Sequence, residues 1–136
     1  MTAPLSLSRL ARASWTHVAF AFLAMGGWAF WINHGHGPAH AATAALVQGT
    51  LSAGLTFGIK RGLEALFSRL SGVTALLLPP VMGCVCVLGI LIGAHTLART
   101  PEIWATIAVP FTVSSTYAFV YTAGLAATRR REWGEG

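Results

Sequence analysis

Charge is the scarcest property of this chain. Among its 136 residues, four are acidic and nine basic, so only 10% are charged. A soluble domain carries about a quarter, because its surface must be solvated, and this chain lacks the residues for such a shell. The acidic residues, Glu64, Glu102, Glu132 and Glu135, all fall outside the long apolar runs, and no lysine or arginine lies inside one. Ionisable groups within a span mark proton relays and ion paths. Here His17, close to a boundary, is the only such group, so proton-coupled antiport is disfavoured.

Enzyme signatures are missing too. There is no Gly-rich phosphate loop opening a helix and no HExxH pair. Without a carboxylate in the spans, membrane-embedded acid–base hydrolysis has no acid or base. The expectation is a protein that is not an enzyme and takes no cofactor. Cysteine is nearly absent: Cys84 and Cys86 lie two apart in an apolar run, on nearly opposite sides of a helix, and read as small inert side chains. The net charge of +5 does not imply nucleic acid. Its basic residues sit in short clusters without the interleaved aromatic and polar residues of a nucleic-acid face.

What is present is hydrophobicity: 54% of the residues are apolar and the mean hydropathy is +0.63. Four apolar runs cover about 15–32, 39–59, 73–94 and 103–128. Each is near the roughly 20 residues needed to cross a hydrocarbon core of about 30 Å. Backbone in lipid must satisfy its own hydrogen bonds, which makes helices the default, and the alternation of a membrane β-strand is absent. The fold class read from this is all-α: one integral membrane domain over 1–136, a bundle of four transmembrane helices with short loops.

Orientation follows from the cations. Arg9 and Arg12 precede the first span, Lys60, Arg61 and Arg69 separate the second from the third, and Arg129, Arg130 and Arg131 follow the fourth. Only Arg99 falls on the other side. Eight basic residues against one is a strong positive-inside bias, placing both termini in the cytoplasm. Trp15 and Trp133 fall at inner boundaries and Trp28, Trp31 and Trp104 at outer ones, as an aromatic belt requires. A cleaved signal peptide, with Ala39-His40-Ala41 as its cleavage site, is the competing account of the first run. That run exceeds a usual h-region of roughly 7–15 residues, so it is expected to stay as a span. The short, Ala/Gly-rich spans direct the expectation to a cell inner (cytoplasmic) membrane.

Between the second and third spans, Leu63, Leu66, Phe67 and Leu70 recur at i, i+3, i+4 and i+7, an amphipathic pattern. It reads as the second helix continuing past the bilayer with its apolar face on the headgroup boundary, or as a docking helix. Glu64 is placed to pair with Lys60 one turn earlier.

Two polar stripes follow helical spacing. Gln48, Ser52 and Thr56 share one face of the second helix with Ala41 and Ala45; Pro110, Ser114, Tyr117 and Tyr121 share one face of the fourth. Both should point into the bundle, either as interhelical hydrogen bonds or as a narrow polar groove for a substrate headgroup. Gly54 and Gly58 form a GxxxG pair, as do Gly89 and Gly93; such pairs admit close backbone approach, within the bundle or against a second copy or another subunit. Pro79-Pro80 and Pro110 remove backbone donors inside spans and are expected to break or kink them. His34, His36 and His40 in the first outer loop, with His95 at the end of the third span, are a candidate copper or zinc set.

The segment Thr56-Phe57-Gly58-Ile59-Lys60-Arg61 resembles the Asn-Phe…Asn-Arg end of the second helix in the GtrA-like family, small four-span proteins linked to translocation of polyprenol-phosphate sugars. Neither asparagine is present here. The resemblance covers that helix end and implies a carrier layout. Three functions remain from the sequence: a non-catalytic accessory or scaffold subunit whose partners are the bilayer and a homo-oligomer or membrane protein; a carrier for a lipid-linked or amphiphilic substrate; and metal binding by the loop histidines.

Overall fold

A computed structural model describes residues 7–134, with side chains from residue 15 onward. The side chains of Arg9 and Arg12, and Glu135, lie outside the described residues. Four helices follow one another: α1 (Leu7–Asn33), α2 (Pro38–Ser68), α3 (Gly72–Leu97) and α4 (Ile103–Gly134). There is no strand among the described residues. All four are long and apolar enough to cross a membrane. The chain is an all-α four-helix membrane bundle, and its up-down order puts the start of α1 and the end of α4 on the same side.

The helices outrun the apolar segments that define the spans. With a rise of about 1.5 Å per residue, the 31 residues of α2 extend about 46 Å, well past a core of about 30 Å. The excess falls at the end carrying the termini, where the amphipathic segment completes α2. Its apolar face does not rest on headgroups: Leu63 is 2% and Phe67 7% exposed, packed inside the bundle. Phe67 carries the Arg129 guanidinium over its ring at 3.8 Å. That guanidinium also donates to the carbonyls of Phe67 and Leu70 at 2.8 and 2.9 Å, tying α4 to the end of α2 and the turn that follows it.

Short turns set the antiparallel order. Gly37, at φ +98° and ψ 157°, adopts a conformation reserved for glycine, and Pro38 then occupies the first turn of α2, where a missing N–H costs nothing. At the end of α3, Arg99 takes φ +53°. The N–H groups of Arg99 and Thr100 bond back to Thr96 and His95 at 3.1 and 2.9 Å, the paired pattern of a left-handed helix cap. This cap folds Thr100 back over His95.

α2 is central, touching α1, α3 and α4. The close approach belongs to α1 and α2. A methyl on Gly26 would lie 2.9 Å from the Ala45 carbonyl oxygen, and one on Gly49 would lie 3.0 Å from the Phe22 ring and carbonyl oxygen. The GxxxG glycines do not serve this role: nothing lies within 4 Å of the methyl position at Gly54, Gly58, Gly89 or Gly93, and all four are exposed. Between α2, α3 and α4, Val87, Leu91 and Ile107 are buried with Leu51, Leu55 and Ile59 packed on them. The prolines do not interrupt the helices. α3 runs unbroken through buried Pro79 and Pro80, and α4 through Pro110.

Candidate functional site

A buried polar layer closes the end of the bundle opposite the termini. Gln48, on the stripe of α2, donates through Nε2 to the Ser52 hydroxyl at 2.9 Å. In that orientation its Oε1 is the acceptor that meets His95 Nε2, also 2.9 Å away. His95 then donates from Nε2 and accepts the Thr100 hydroxyl at Nδ1, 2.8 Å away, the roles of a neutral imidazole. Gln48 and His95 are fully buried.

A second set joins α1 to α4 at the same end. Asn33, fully buried, donates to the Thr106 hydroxyl at 2.8 Å and the Ala29 carbonyl at 2.9 Å. Its Oδ1 accepts the Glu102 N–H at 3.1 Å. The Trp28 indole donates to the Ala105 carbonyl at 3.1 Å. Outside this layer His36 meets the Glu102 carboxylate at 2.9 Å. Asn33 and Thr106 carried no periodic signal in the sequence, since each is a lone polar residue at a helix end.

This layer accounts for the histidines differently from a metal site. His95 has both ring nitrogens engaged, His36 faces Glu102, and His34 stacks on Trp31. His40 is exposed on the first turn of α2. The four are not brought together, and among the described residues no group of three or more His, Cys, Asp or Glu is placed to hold a metal.

Below the polar layer lies an open groove of about 270 Å³ between α1, α2 and α4. Five of the seven predicted stripe residues line it: Ser52 and Thr56 from α2, Pro110, Ser114 and Tyr117 from α4. Phe20, Ala21 and Met25 of α1 form the facing wall, and Leu55, Ile59 and Val113 make most of the remainder apolar. Gln48 and Tyr121 do not line this groove. Gln48 belongs to the buried layer, and Tyr121 donates to the Glu64 carboxylate at 2.5 Å while stacking on Tyr117 at 5.3 Å. Glu64 is thus held by Tyr121 of α4 rather than by Lys60 of its own helix.

The groove hydroxyls are largely satisfied within their own helices. Thr56 donates to the Ser52 carbonyl at 2.7 Å and Ser114 to the Pro110 carbonyl at 2.8 Å. Such back-bonding is open to Ser and Thr in helices; at Thr56 and Ser114 it takes the place of the interhelical bonds expected of the stripes, which Gln48 and Tyr121 do make. What remains is a mildly polar, mostly apolar channel rather than a headgroup site.

Comparison with protein-family models, with characterised proteins and with solved structures gives no match for this chain.

Proposed function

We propose that this multi-pass membrane protein is a non-catalytic carrier for an amphiphilic molecule, which it takes up through the groove between α1, α2 and α4. The observation that carries this reading is the convergence of Ser52, Thr56, Ser114 and Tyr117, from two helices, with Phe20, Ala21 and Met25 of a third on one groove. Its volume is near the lower end of ligand pockets, roughly 300–1,000 Å³, and its lining suits a single hydrocarbon chain. The hydrogen-bonded layer at Asn33, Gln48, His95 and Thr106 caps it at the far end. The eight-to-one asymmetry of basic residues supports an orientation with the groove in the cytoplasmic half, and the short, Ala/Gly-rich spans support an inner-membrane location.

The test is retention of lipid by the purified full chain in mild detergent, read by native mass spectrometry. Wild-type protein should hold a stoichiometric amphiphile. Ser114→Phe fills the groove and should reduce retention about tenfold while the helical signal and unfolding midpoint stay close to wild type. Equal retention by both proteins overturns the proposal.

A second reading rests on the lipid-facing GxxxG pairs. Because Gly54, Gly58, Gly89 and Gly93 touch nothing within the bundle, they suit close packing against a second copy or a membrane partner. Gly54→Leu or Gly89→Leu should then release a co-purifying subunit without unfolding the monomer.

A further inference from the structure

The groove does not end at Thr56. That residue also lines a second cavity of about 390 Å³, formed with His17, Val18, Phe57, Lys60, Arg61 and Glu64. Lys60 lies one helical turn, about 6 Å, beyond Thr56 towards the end carrying the termini. The apolar channel and the polar cavity therefore adjoin at Thr56.

The two compartments divide an amphiphile between them. In the channel, the Thr56 and Ser114 hydroxyls donate to carbonyls of their own helices and most of the lining is apolar, which suits a hydrocarbon chain better than a charged headgroup. In the chamber, Lys60 and Arg61 bring two fixed positive charges. The titratable groups facing them are His17, the Glu64 carboxylate and, through it, Tyr121 of α4. The carboxylate is the only fixed negative charge among them and already accepts the Tyr121 hydroxyl at 2.5 Å. The chamber therefore carries a net positive charge at the depth where headgroups lie. An arginine fork with a neighbouring ammonium matches phosphate oxygens, and basic groups near the membrane surface favour anionic lipid.

We propose, resting on the groove reading above, that the ligand is an anionic phospholipid. Its phosphate sits against Lys60 and Arg61, and one acyl chain lies along Ser52, Ser114 and Tyr117.

The experiment supplies the full-length protein in mild detergent with equal amounts of dioleoyl phosphatidylglycerol and dioleoyl phosphatidylcholine, which share their chains and differ in net charge. Bound lipid is counted by native mass spectrometry. The wild type should prefer phosphatidylglycerol about tenfold, and K60Q/R61Q should bring the preference within about twofold. R130Q/R131Q removes the same charge elsewhere on that end and should leave the preference intact. Equal retention of the two lipids by wild type overturns the headgroup assignment and leaves the groove standing. The headgroup assignment falls equally if R130Q/R131Q abolishes the preference as fully as K60Q/R61Q. If Ser114→Phe lowers retention of neither lipid, the groove itself is wrong. The wild-type comparison decides the charge question even should a variant fail to fold.

Discussion

His95 on α3 and Gln48 on α2, 47 residues apart in the chain, meet at 2.9 Å with neither side chain exposed. Their contact ties the two helices together and fixes the imidazole between the Gln48 amide and the Thr100 hydroxyl. Thr100 is present because the Arg99 cap turns the chain back. A side chain that the sequence offers as a loop ligand is thereby part of the interior.

His95→Leu should destabilise the protein by about 1–3 kcal/mol, because the Gln48 and Thr100 groups stay buried without their partner. The Gln48→Leu/His95→Leu double variant should lose less than the sum of the single changes, since removing both partners removes the orphaned group. Thermal unfolding midpoints in mild detergent read this. A chelator such as EDTA should not move the wild-type midpoint, because the four histidines are dispersed. A lowered midpoint on chelation would count against the hydrogen-bonded role of His95.

Glycine substitutions should separate two kinds of position. Gly26→Ala pushes a methyl against the Ala45 carbonyl at 2.9 Å and should cost about 1–3 kcal/mol through forced displacement of α1 from α2. Gly54→Ala meets open space and should be neutral or gain up to about 1 kcal/mol from helix propensity. Chemical denaturation of the two variants in the same detergent makes the comparison, and equal losses would contradict the packing described for α1 and α2.

Arg99 is the one non-glycine residue with positive φ among the described residues. The left-handed conformation costs an L-residue about 1–2 kcal/mol. Arg99→Gly should therefore raise stability by about 1 kcal/mol, and Arg99→Val should lower it. A higher midpoint for the valine variant would show that the cap is not formed as described.

The number of helices and their rough extents were legible in the sequence. The cause is local: a backbone in hydrocarbon must bond to itself, and a run of about 20 apolar residues supplies one crossing. The stripes were legible as well, because i, i+4 spacing fixes a face whatever lies opposite it. Ser52, Thr56, Ser114 and Tyr117 consequently fall on one groove. The extra length of α2 was visible in Leu63 and Phe67, but not that these side chains pack inward.

Only the tertiary structure decided which face meets which. Periodicity places Gly54 and Gly26 equally well on helix surfaces; helix separation and rotation make Gly26 the contact and leave Gly54 to the lipid. In the same way the pairing of Glu64 with Tyr121 rather than Lys60 depends on α4 lying beside α2, a relationship of residues 57 apart. Asn33 and Thr106 meet across 73 residues, and no local pattern encodes that encounter. Composition determined the solvent and the secondary structure, because those follow from each segment alone. Helix packing determined the groove, the buried polar layer and the fate of the histidines, because those depend on distances between segments that the sequence does not state.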